Sequence, residues 1–163
     1  MCRNEEGEFG MIEDIITTPL IQLRVKTTDW RDAIKKSGRV LVENGDVTQN
    51  YVEEIIRSAE KFGPYFVIAP HVALAHAPRQ AGARKLAMGI TTLDPPIVFH
   101  NQANDPVRYV FTLSATDADT HLKAMQEFVQ LLSMGDFYTT LDRAGSGQEI
   151  MAYIKSALAM NKE

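Results

Sequence analysis

One cysteine, Cys2, is all the chain has, so no internal disulfide can form and a cysteine nucleophile would have to act from the very start of the chain. Nothing in the pattern therefore asks for an oxidising compartment. Long hydrophobic runs are absent as well, and no segment approaches the length of a membrane span. The stretch Met1–Met11 carries Glu5, Glu6 and Glu8 without an apolar core, which excludes a signal peptide and gives a cytoplasmic reading. Basic blocks are missing too: 17 Lys and Arg face 21 Asp and Glu, a formal net charge of -4, so no nucleic-acid partner is expected. Glycine-rich phosphate loops of the nucleotide-binding kinds do not occur.

What is present is an ordinary globular composition, 45% hydrophobic and 23% charged, in 163 residues, enough for one core without staples. Strand-like and helix-like periods interleave. Pro19–Val25 reads as a first strand. A helix follows over Asp29–Glu43, with Trp30, Ala33, Ile34 and Leu41 on one face and Thr27 or Thr28 as its cap. Thr48 caps a second helix through Val52, Ile55, Ile56 and Ala59, which Gly63-Pro64 ends. Tyr65–Ile68 is a short apolar run read as a buried strand. Pro70 interrupts it, and Val72–Ala75 resumes in extended form and delivers His76. Leu86–Leu93 is another strand, Asp94-Pro95-Pro96 a turn, and Ile97–Phe99 the returning half of a hairpin.

Val107–Ala115 carries the strongest strand pattern. A helix presenting Leu122, Met125, Phe128, Val129 and Leu132 comes next, stopped at Gly135. Ser146-Gly147-Gln148-Glu149 has the form of a capping box and opens a last helix through Ile150, Tyr153, Ile154 and Leu158. Alternation of this kind predicts an α/β class, a single-domain α/β/α sandwich with a central mixed β-sheet flanked by helices. Residues 1–18 are set apart as a weakly ordered N-terminal extension and 19–163 as the domain.

Four histidines are the candidates for chemistry. His71 and His76 are an odd number of positions apart, so along one regular strand they face opposite sides and make a poor metal clamp. His76 lies among Ala75, Ala77 and Gly82, small neighbours that leave room for a large partner or an oxyanion. A lone histidine such as His71 is more often a hydrogen-bonded structural residue. His121 sits just inside a helix after the best strand, where an α/β sheet places its sites and where a helix start favours an anion. His100 lies in a polar loop with no cluster beside it. A zinc site from His76, His121 and Asp117 or Asp119 is allowed by residue type and unsupported by spacing.

Two blocks carry a resemblance. Gly63-Pro64-Tyr65-Phe66-Val67-Ile68-Ala69-Pro70, followed by Ala73-Leu74-Ala75-His76-Ala77, is one; Asn104-Asp105-Pro106-Val107 with Ala115-Thr116-Asp117-Ala118-Asp119-Thr120-His121 is the other. Together they resemble the enzyme IIA component of the bacterial phosphoenolpyruvate-dependent sugar phosphotransferase system, mannitol/fructose type, and within it the ascorbate subclass. The resemblance implies that His76 accepts a phosphoryl group from phospho-HPr and passes it to a cysteine of a IIB partner, which serves a membrane IIC component. His121 would steady the phosphoryl group, and no metal or organic cofactor would be needed. The chain departs from the family at Ala75, where proline is usual, at Ala77-Pro78-Arg79-Gln80, where Ala-Arg-Pro-Glu is common, and at His71, where glycine is frequent. Mannitol-type relatives use an arginine before the active-site strand; Arg57 is the nearest here, and the role is not carried over to it. These departures motivate a second reading, a regulatory IIA-like module that signals by its phosphorylation state. The sugar and the oligomeric state are not written in the sequence.

Overall fold

The computed structural model describes residues 12–161, and of 118–121, 160 and 161 the backbone alone. Among the described residues the order is α1 (Ile12–Ile15), β1 (Ile21–Val25), α2 (Trp30–Glu43), α3 (Gln49–Phe62), β2 (Val67–Ala69), β3 (Val72–Ala75), β4 (Ala87–Ile97), β5 (Val107–Ser114), α4 (Ala118–Leu132), α5 (Gly135–Arg143) and α6 (Gly147–Asn161). The five strands form one mixed sheet in the order β1-β4-β5-β3-β2. The β1/β4 and β3/β5 pairs are parallel, and β4/β5 and β2/β3 antiparallel.

Side-chain alternation sorts the sheet between two cores. Val72, Leu74, Tyr109, Phe111 and Leu113 join the layer that holds α1, α4, α5 and α6. Ala73, Ala75 and Val110 join the layer under α2 and α3. This is the period-two rule for a sheet covered on both faces, and it explains why β5 reads as a nearly continuous apolar run. Phe111 meets Phe128 of α4 edge-on, with ring centroids 4.8 Å apart. The expected α/β/α sandwich with a mixed sheet is what the chain forms.

The helix starts follow local chemistry. Asp29, rather than either threonine before it, caps α2: its side chain accepts from the Asp32 N–H at 2.8 Å. Thr48 caps α3 as expected, accepting from the Tyr51 N–H at 3.3 Å. Gly63, at φ 91, supplies the left-handed residue that stops α3. At α6 the glutamate of the capping-box sequence turns back as foreseen, but Glu149 Oε1 accepts from the Gly145 N–H at 3.1 Å.

Three further expectations are corrected. Asp94-Pro95-Pro96 is no turn: β4 runs through it to Ile97, which pairs with Val107. The prolines fall beyond Leu93, the last residue paired with β1, and inside a register shift against β5, so their missing N–H groups interrupt no regular ladder. Second, β2 is an edge strand, with Phe66 and Val67 buried and Ile68 exposed. Third, α4 turns Ala124, Phe128 and Leu131 inward and leaves Leu122 and Val129 each 59% exposed. The helix carries apolar residues around much of its circumference, and packing against the sheet chose the stripe. Gly135 then opens a separate helix, α5. Of the stretch set apart at the start, 12–18 includes Ile12, Ile15 and Ile16, all buried.

Candidate active site

Parallel β3 and β5 end together, Ala75 opposite Thr112, and an open pocket of about 820 Å³ lies at those carboxyl ends. Tyr51, Ser58, Phe62, Tyr65, His76, Ala77, Pro78, Arg79, Leu113, Ala115 and Asp117 line it. His76 is the residue immediately after β3, half-buried at the pocket wall. The strand fixes its backbone, and Ala75, fully buried, has no bulk to crowd the ring.

The ring itself is oriented by one hydrogen bond and one aromatic contact. His76 Nδ1 lies 2.8 Å from the Leu74 carbonyl oxygen. A carbonyl only accepts, so Nδ1 donates and carries the proton. In the neutral imidazole, Nε2 then holds the lone pair, and it is the nucleophilic nitrogen. Tyr65 packs edge-on against the ring, centroids 5.5 Å apart at 82°, and its hydroxyl donates to the His76 carbonyl at 2.7 Å.

Tyr51, from α3, holds the next residue. Its hydroxyl donates to the Leu113 carbonyl at 2.7 Å and accepts from the Ala77 N–H at 3.1 Å. One phenol thus ties the end of β5 to the loop that leaves β3. Burial pushes its pKa up to about 12, so it remains a donor. The loop is pinned on two further sides. The Thr48 N–H donates to the Gly82 carbonyl at 2.9 Å and the Asn50 side chain to the Ala81 carbonyl at 2.8 Å. Gly82, at φ 140, lies so near Thr48 that a Cβ there would meet its Oγ1 at 1.9 Å. Across the mouth, Arg79 Nη1 donates to the Thr116 carbonyl at 2.8 Å.

The remaining candidates separate. His71 stands at the other end of β3, at φ 69 in the β2–β3 turn, where its Nδ1 donates to the Pro106 carbonyl at 2.7 Å. His100, also at positive φ, is exposed in the β4–β5 loop at that same far end. His121 lies in the first turn of α4, beyond the carboxyl end of β5; its side chain is outside the described residues, as is that of Asp119. Asp117 lines the pocket. Arg57 does not: it is exposed on α3 and bonded to Glu54 at 2.9 Å and Asn50 at 3.1 Å. Among the described residues no three His, Cys, Asp or Glu side chains gather as for a metal. Among them, too, no helix is long and apolar enough to cross a membrane.

Sequence reasoning did not single out Tyr51 and Tyr65 as site residues. Tyr51 stands on the apolar stripe of α3 and Tyr65 follows Gly63-Pro64, so each reads as core or strand; the signal is the polar tip, which a buried tyrosine must satisfy.

A histidine with a defined tautomer thus stands in an open pocket at the carboxyl edge of a mixed α/β sheet, where α/β folds gather their sites. The family model of the phosphoenolpyruvate-dependent sugar phosphotransferase system, EIIA 2, matches residues 14–157, and the chain belongs to that family. It is thereby a phosphocarrier component of the sugar phosphotransferase system, a transferase. Among its relatives, SgcA of Escherichia coli (strain K12), named provisionally a phosphotransferase IIA component, is 36% identical over 144 residues, 88% of this chain and 99% of that protein. The ascorbate-specific PTS system EIIA component of the same strain is 33% identical over 135 residues, 82% of this chain and 88% of its own. The solution structure of the mannitol-specific cryptic phosphotransferase enzyme IIA CmtB from Escherichia coli superposes with a TM-score of 0.78 at 31% identity, covering 88% of this chain and 97% of that one.

Proposed function

We propose that His76 is the phosphoryl acceptor, that phospho-HPr is the donor, and that a cysteine of a IIB partner takes the group onward for uptake of an ascorbate-like sugar through a membrane IIC component. The observation that carries this reading is that His76 lines the open pocket at the carboxyl ends of β3 and β5, with its Nδ1 bonded to the Leu74 carbonyl so that Nε2 keeps the lone pair. The step balances without a cofactor. The Nε2 lone pair attacks phosphorus as the N–P bond of the donor phosphohistidine breaks, and the donor ring leaves neutral because its other nitrogen already holds a proton. The new phospho-imidazolium of His76 keeps its Nδ1 proton against the Leu74 carbonyl, so His76 in turn is a neutral leaving group when a thiolate attacks.

In this reading the work of the protein is positioning and charge stabilisation. Tyr65 and Tyr51 hold the carbonyl and the N–H of the one peptide bond that follows the ring. His121, at the start of α4, would bind the phosphoryl oxygens beside a helix N-terminus, which favours an anion. Residues 1–18 serve as an extension of the domain at 19–163, and the protein works in the cytoplasm beside its partners. Incubation with phosphoenolpyruvate, enzyme I and HPr tests the reading: an acid-labile, base-stable phosphate forms on the chain and then moves to a IIB domain. Labelling that persists in His76→Ala overturns the assignment. Labelling without transfer to any IIB domain selects the regulatory reading instead.

A further inference from the structure

We infer that Arg79 is the cation that binds and neutralises the phosphoryl group on His76, which rests on the reading of His76 above. A phosphoryl group brings close to two negative charges to a pocket. Among the described lining residues Arg79 is the only lysine or arginine, and Asp117 is the only carboxylate. The described lining thus carries one charge of each sign when empty and becomes net negative once loaded, and Arg79 is the one lysine or arginine there to meet the new charge. Arg57, the arginine of α3, is bonded to its own helix and lies outside the lining.

The geometry favours Arg79 on two counts. It follows His76 by three positions in a segment held at both ends. Pro78 precedes it in extended conformation, and the 3-10 turn Arg79–Ala81 is bonded to Asn50 through the Ala81 carbonyl. Holding the backbone removes much of the entropy cost of recruiting a long side chain. The guanidinium has five N–H donors, and the bond to the Thr116 carbonyl uses one. That bond sets the group against the segment leading into α4, facing the pocket mouth, with a fork of donors left for phosphoryl oxygens. The order Pro78-Arg79, where the family commonly has arginine before proline, moves the guanidinium one residue further from the nucleophile, and the Thr116 bond fixes where it arrives.

The test measures phosphoryl uptake by the full chain, from phospho-HPr and separately from the small donor phosphoramidate. With both donors Arg79→Ala and Arg79→Gln slow uptake about 10²- to 10³-fold, the range for losing one pre-organised donor to the reacting charge. Arg79→Lys, which keeps the charge without the fork, recovers part of the rate, and added guanidinium accelerates Arg79→Ala but not His76→Ala. Arg143→Ala, which removes an equal charge from an exposed position at the end of α5, stays at the wild-type rate. Wild-type uptake in the Arg79 variants overturns the inference. So does a loss seen only with phospho-HPr, which makes Arg79 a docking residue, and so does a loss that neither lysine nor guanidinium repairs, which makes it a strut for Thr116. Should Arg79→Ala fail to fold, the contrast between Arg79→Gln and Arg79→Lys decides alone. Absence of any wild-type labelling is a different failure, that of His76 as acceptor.

Discussion

The two ends of strand β3 present the same chemistry in different settings. His71 precedes the strand and His76 follows it; each gives its Nδ1 proton to a backbone carbonyl, at 2.7 and 2.8 Å, and each keeps Nε2 for its lone pair. Around His71 the chain is a tight turn laid against the start of β5, with the Arg108 and Tyr109 N–H groups both donating to its carbonyl. Around His76 are a pocket of about 820 Å³, an aromatic ring on the imidazole and a guanidinium at the mouth. A correct tautomer is thus common to both; space and charge for a second reactant belong to one.

Substituting the two histidines gives the largest contrast. His76→Ala should lose phosphoryl uptake by at least about 10³-fold, since a covalent nucleophile has no substitute. His71→Ala should label at the wild-type rate, and loss of label in His71→Ala would erase the distinction between the ends. Next comes Tyr51→Phe, which strands the Leu113 carbonyl and the Ala77 N–H at the His76 end and should cost about 1–3 kcal/mol in denaturant unfolding, with slower uptake. The matching change at the far end is Asp105→Ala. Asp105 accepts from the Phe99 and Asn101 N–H groups at 2.7 and 2.8 Å, so about 1–2 kcal/mol of stability should go while uptake per folded molecule stays constant.

A pH series sharpens the same comparison. Tyr51 has its pKa raised to about 12 by burial, and an unfolded tyrosine titrates near 10. The folded state therefore holds its proton more tightly. Its contribution is intact below pH 10 and is lost as the pH rises towards 12, with about 1 kcal/mol gone by pH 11. Unfolding midpoints measured from pH 8 to 11 should fall less steeply in Tyr51→Phe than in wild type. The smallest effect is expected for His71→Gly: glycine suits φ 69 but forfeits the bond to Pro106, so stability should stay within about 1 kcal/mol of wild type. A larger fall would show that the far-end histidine holds more than its turn.

Much of this was legible in residue order. The N-cap at Thr48, the stop at Gly63 and the delivery of His76 by Val72–Ala75 depend on neighbours within a few positions, and local chemistry decides them. The two strand–loop blocks pointed to the family that the model match shows. The buried side of α4 was misread, because Leu122 and Val129 share a helical stripe as regular as that of Ala124, Phe128 and Leu131. Period alone does not say which stripe meets a sheet. The passage of β4 through two prolines was missed for a related reason: it depends on where β1 stops pairing, and no residue near Pro95 records that.

By itself the sequence determined the class of the fold, the cap of α3, and that one histidine stands at a strand end among small residues, since each follows from contacts along the chain. Only the tertiary structure decided what surrounds that histidine. Tyr51 reaches it from α3, Leu113 and Thr116 from β5 and the loop beyond, and Arg79 is fixed by a carbonyl far along the chain. A nucleophile is a property of one residue and its tautomer, whereas a site is the set of groups that folding brings within 3 Å or so of one another, and no period in the sequence encodes that meeting.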